Sequence, residues 1–107
     1  LEGATLSPAL RRALTRLSEL KRELESLESK RRQIDNEVDA IYRSQQRIRE
    51  NMARLDRDST LYRRYVDTMS EQEDRLETLS SQRQSVVAEI EAQRQRIADF
   101  VGELNIE

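Results

Sequence analysis

The chain has 107 residues, 36% hydrophobic and 37% charged, with a net charge of −2. One Phe, three Tyr and no Trp, His or Cys exclude an aromatic-rich globular core, a disulfide framework and a thiol or imidazole catalyst. Two Gly and one Pro leave long runs of helix formers, against the composition of a disordered chain.

Residues 1–6 read as a flexible leader. Ser7-Pro8 then opens the first predicted helix: the Ser7 hydroxyl can accept an early N–H, and Pro8 suits the first helical position. From Leu10, alternating steps of three and four pick out Ala13, Leu17, Leu20, Leu24, Leu27, Arg31, Ile34, Val38, Ile41, Gln45, Ile48, Met52 and Leu55. Only Arg31 and Gln45 are polar. A strict seven-residue period kept this long calls for a left-handed supercoil, because a straight helix drifts off the seam. This first helix is expected over about 8–56.

A turn is predicted at 56–60, with Asp58 or Ser59 capping the second helix, expected over about 59–102. Its stripe is Tyr62, Tyr65, Met69, Gln72, Leu76, Leu79, Arg83, Val86, Ile90, Gln93, Ile97, Phe100 and Leu104. Ser70-Glu71-Gln72-Glu73 resembles a capping box and raises a restart there, against the unbroken stripe. Gly102 is the expected C-terminal cap.

Folded back about the point between Asp58 and Ser59, the stripes match in pairs whose numbers total 117. Leu55 faces Tyr62, Met52 faces Tyr65, Ile48 faces Met69, and Leu20 faces Ile97. Gln45 falls opposite Gln72, and these two are read as a mutually bonded register pin. Arg31 and Arg83 are read as stems that cover the seam while their heads reach nearby acids. The short linking segment favours antiparallel neighbours. The predicted fold is therefore all-α: a long antiparallel helical hairpin, a two-helix left-handed coiled coil forming a single unit over 1–107. A first residue other than Met and an abrupt end predict an excerpt of a larger protein.

Carboxylates abound on the outer faces. Glu28, Asp39, Glu50 and Glu71 each precede an arginine by four residues, an arrangement that supports single helices. Catalytic acid pairs need a desolvating pocket, which a two-helix coil lacks. There is no glycine-rich phosphate loop and no nucleophile elbow. No enzyme activity, catalytic residue, cofactor or metal site is expected. No apolar run approaches the roughly 20 residues of a membrane span, and no signal-like segment opens the chain. The segment reads as soluble, with its compartment undetermined.

Charge is uneven. Seven arginines lie between residues 43 and 64 against Glu50, Asp56 and Asp58, a local net of +4, whereas residues 65–107 sum to −6. Arg47, Arg49, Arg54, Arg57, Arg63 and Arg64, with Tyr62 and Tyr65, form a candidate interaction tip for an acidic protein or nucleic acid. The bland alternative is a solvated end whose bases pair locally. Arg49 and Arg64 are expected to pair with Asp56 or Asp58, and Asn51 to bond backbone at the turn. The near-neutral net charge disfavours nucleic acid and membrane for the chain as a whole. Leu14, Val66, Val87 and Val101 leave self-association into a dimer or four-helix bundle open.

Three strings stand out, and the RIREN and LYRRY runs in the first two exceed what heptads require. They are Gln46-Arg47-Ile48-Arg49-Glu50-Asn51-Met52, Leu61-Tyr62-Arg63-Arg64-Tyr65-Val66 and Gln72-Glu73-Asp74-Arg75-Leu76-Glu77. With Ser7-Pro8-Ala9-Leu10-Arg11, they resemble the C-terminal coiled coil of large bacterial proteins labelled mucoidy-inhibitor-like, which carry a mainly β domain of unknown function. Met52 stands where that group usually has leucine. The resemblance implies a bacterial source and a role as an arm of a larger protein, with the rest of that chain as a partner. It brings no activity, catalytic residue or cofactor.

Overall fold

The structure, a computed structural model, describes residues 6–106, and side chains through Leu104. The expected leader lies outside the described residues except for Leu6. The fold is an all-α helical hairpin of two helices, α1 (Pro8–Met52) and α2 (Thr60–Ile106), with no strand among the described residues.

Both helix starts follow from short hydroxyl side chains. Ser7 Oγ accepts the Leu10 N–H at 3.0 Å, and Ser59 Oγ accepts the Tyr62 N–H at 3.1 Å. Each satisfies an amide that the first helical turn leaves without a partner. Of the two proposed caps at the turn, Ser59 therefore serves.

Two boundaries differ from the sequence reading, the end of the first helix and the end of the second, while the unbroken stripe through Ser70 holds. The first helix ends at Met52, because the Arg54 and Leu55 amides bond the Asn51 and Met52 carbonyls three residues back. That tightens the chain out of the α-helix while leaving Leu55 half-buried. The second helix runs through Ser70 without a restart, since seam burial outweighs a local capping preference. It also runs through Gly102, which is helical and lacks the positive φ of a C-terminal cap. No proline follows to stop it, and helix formers carry it on.

The helices pack as two units: Arg31–Ser85, which holds the turn, and the described parts of Leu1–Lys30 with Val86–Glu107. In each, the spacing dictates the interior. The turn-bearing unit buries Ile34, Ile48 and Leu79, and the other buries Leu20, Val86 and Ile90. All six lie on the two stripes. Only Leu10 and Arg83 among the stripe residues are exposed. The arms are antiparallel in both units. Cross-arm hydrogen bonds join Ser44 to Gln72, Asn51 to Tyr65 and Glu23 to Gln93, one position short of the register read from the sequence, and Gln45 to Glu73 and Asp35 to Arg83, one position beyond it, so they straddle that register.

Candidate interaction surface

The seam carries polar rungs. Gln45 is 2% exposed and donates through Nε2 to Glu73 Oε1 at 3.1 Å. Gln72 donates to Ser44 Oγ at 2.9 Å, while its own Oε1 is buried without a partner. The two glutamines thus lie side by side without bonding each other. Each reaches past its expected partner to that partner's chain neighbour, Glu73 or Ser44, because a glutamine on the seam axis is long enough to bond the flank of the facing helix.

A third rung was legible only as one polar stripe position. Gln93, also 2% exposed, donates from Nε2 to the Leu20 carbonyl and to Glu23 Oε2, both at 3.0 Å. Its Oε1 accepts Arg96 Nη1 at 2.8 Å. Every polar atom of the amide group is therefore engaged. The signal in the sequence was a glutamine flanked by complementary charges at Glu23 and Arg96.

Outside the seam, three ion pairs cross between the arms, while Arg16–Glu19 and Arg94–Glu91 run along one helix at 3.5 and 3.6 Å. Arg75 grips Glu37 with two bonds, Nε at 2.6 Å and Nη2 at 2.9 Å. Arg83 meets Asp35 at 2.7 Å, the head reaching an acid as expected although the side chain is exposed, and Arg94 meets Glu28 at 3.0 Å. Hydrogen bonding from Arg75 holds the Glu37 carboxyl below its usual range, and the same bonding raises Arg75. None of the four expected i to i+4 pairs forms among the described residues; Glu28 and Arg75 are both drawn across to the facing helix. Arg31 forms no ion pair among the described residues, and its Nε is buried without a partner, unlike the expected snorkelling head.

The turn end is arranged differently. Arg43, Arg47, Arg49, Arg54, Arg57, Arg63 and Arg64 are all exposed. Among the described residues none of the seven forms an ion pair; Arg63 only donates to the Asp58 carbonyl, at 3.1 Å. The expected pairing of Arg49 and Arg64 with Asp56 or Asp58 does not occur, while all seven arginines are exposed, as a solvated end would have them. Asn51 Nδ2 donates to the Tyr65 hydroxyl at 3.2 Å instead of to turn backbone. Tyr62 and Tyr65 are half-buried on the seam. Arg49, Arg57 and Tyr62 meet around an open groove of about 550 Å³ that Met52, Leu55 and Met69 also line. Arg47, Arg54, Arg63 and Arg64 do not line it.

Among the described residues no three carboxylates converge as a metal site would require, and no helix is long and apolar enough to cross a membrane. No protein-family model, curated protein or solved structure matches the chain.

Proposed function

We propose that this chain is a structural and interaction arm: a rigid coiled-coil hairpin that spaces, docks or oligomerises a larger bacterial protein. The burial pattern carries this reading. The interior lies along two matched stripes, and the outer faces are mainly polar, with Leu14, Tyr42, Leu61 and Val66 exposed among the charges. Such an arrangement supplies length and surface, with little enclosed space for chemistry. The bacterial parent and the arm role within it rest on the RIREN and LYRRY likeness.

Molar mass in solution with small-angle scattering, taken at several concentrations, tests the proposal. A monomer of 12.6 kDa with a rod-like profile is expected for a closed arm that spaces or docks. A rod-like or bundled dimer supports the oligomerising form of the same role. A coil-like profile would overturn the arm reading.

One observation favours a second reading, a binding module whose basic tip grips an acidic protein or nucleic acid. Seven exposed arginines gather near the turn against three carboxylates, and among the described residues none of them forms an ion pair; Arg12, Arg22 and Arg32 elsewhere are unpaired too, so the distinguishing feature of the turn is this concentration of positive charge. Guanidinium groups without local partners remain available to anions from outside. Binding of polyanions that weakens steeply with salt, and is lost when Arg57, Arg63 and Arg64 become glutamine, is the expected outcome.

A further inference from the structure

The groove at the turn narrows that second reading, on which the following rests. Its interior is apolar: the half-buried Met52, Leu55, Tyr62 and Met69 line a space of about 550 Å³. Exposed Arg49 and Arg57 border it, and among the described residues neither forms an ion pair. Apolar side chains left accessible beside unneutralised guanidinium groups define a two-part complement. One part is an aliphatic or aromatic anchor, which gains by leaving water. The other is a pair of carboxylates flanking that anchor, which match the arginine forks.

We infer that the groove docks a short acidic segment of a partner protein, one apolar side chain seated among Met52, Leu55, Tyr62 and Met69 and neighbouring carboxylates held by Arg49 and Arg57. A nucleic acid satisfies the arginines but offers no aliphatic side chain for the groove. A second copy of this chain has carboxylates at Glu71, Glu73, Asp74 and Glu77, but the leucines among and beside them, Leu76 and Leu79, are drawn into its own seam. In a second copy the exposed Val66, Leu61 and Tyr42 each have a single carboxylate within one turn, Asp67, Asp58 or Asp39, not a flanking pair, whereas an acidic segment with an exposed anchor supplies both parts.

The chain has two methionines, and both line the groove. Labelling their methyl carbons gives two NMR signals that report on the site alone. The first probe is a peptide with one leucine flanked on each side by glutamates. The second has serine for leucine at equal charge, and the third is a single-stranded RNA oligomer. Binding is followed in parallel by fluorescence anisotropy.

The leucine peptide is expected to shift both methyl signals and to bind about tenfold more tightly than the serine peptide. Changing Arg49→Gln and Arg57→Gln together is expected to weaken it about tenfold. Arg12→Gln with Arg22→Gln, which removes equal charge far along α1, is expected to leave it unchanged. Equal binding of the two peptides, or tight RNA binding that leaves the methyl signals in place, would overturn the groove and leave the basic-tip reading standing. No binding of any probe at low salt would overturn both.

Discussion

Gln93 occupies a position that the seam spacing reserves for an apolar side chain, yet it leaves no polar atom wanting. Its amide donates to a backbone carbonyl and a carboxylate and accepts from a guanidinium. The Leu20 carbonyl has a second lone pair for its own helix, so the bond adds to α1 without unpicking it. Truncation to alanine would remove three bonds and open space in the seam. Gln93→Ala is therefore expected to lower stability by about 1–3 kcal/mol, measured by urea unfolding. Gln93→Leu fills the same volume and leaves Glu23 and Arg96 free to turn to water, since both are exposed. That variant is expected to be as stable as the parent or more so, because apolar replacement of a satisfied buried polar group is often neutral or stabilising. If both substitutions cost the same, the bonds rather than the packing would carry the site. Gln72 offers the contrast: its carbonyl oxygen is buried with no donor, so that rung contributes less than the fully bonded one.

At the scale of the helix, the decisive competition is between local and facing partners. Arg75 has Glu71 one turn back but bonds Glu37 on the other arm with two short bonds. The two-pronged geometry favours the carboxylate on the facing helix, which the long Arg75 side chain reaches across the arms. This pair makes stability depend on pH with a definite sign. Glu37 is depressed in the folded chain, so its ionised form favours folding above the ordinary carboxyl value of 4.5. The contribution is lost as pH falls through the lower folded value, while Arg75 stays protonated throughout. The stability difference between the parent chain and Glu37→Gln is thus expected to be largest near neutrality, to close under acid, and to shrink with added salt. A difference constant with pH would mean that the ion pair is not its source. Gly102 makes a second case. It sits within α2 at ordinary helical φ, and a Cβ there meets nothing within 4 Å. Gly102→Ala is accordingly expected to stabilise by about 0.5–1 kcal/mol in thermal or urea melts, through lost freedom of the unfolded chain. A destabilised variant would show that Gly102 is needed as a helix end after all.

At the scale of the whole molecule, what the sequence revealed and what it withheld divide along a physical line. Periodicity dictates which face is buried, so Leu20, Ile34, Ile48, Leu79, Val86 and Ile90 were readable, and the turn fixed the register. Partner choice was not readable: it depends on side-chain reach across the seam, which sent Gln45 to Glu73 and left the arginines near the turn unpaired. The division into two packed units governs how the fold comes apart. The six buried apolars divide three and three between the two units, so each unit has its own interior. Stability in such a chain is carried locally, and local opening is expected to stay local. Leu79 is the most deeply buried, at 1% exposure, and Leu79→Ala should cost about 2–4 kcal/mol. In native-state hydrogen exchange the loss of protection is expected to fall on amides within Arg31–Ser85, while those around Leu20 and Ile90 keep most of theirs. An equal loss along both helices would instead make the hairpin one cooperative unit. A contact made near the turn would then be felt as added stability at the far ends of the helices, which the local picture forbids.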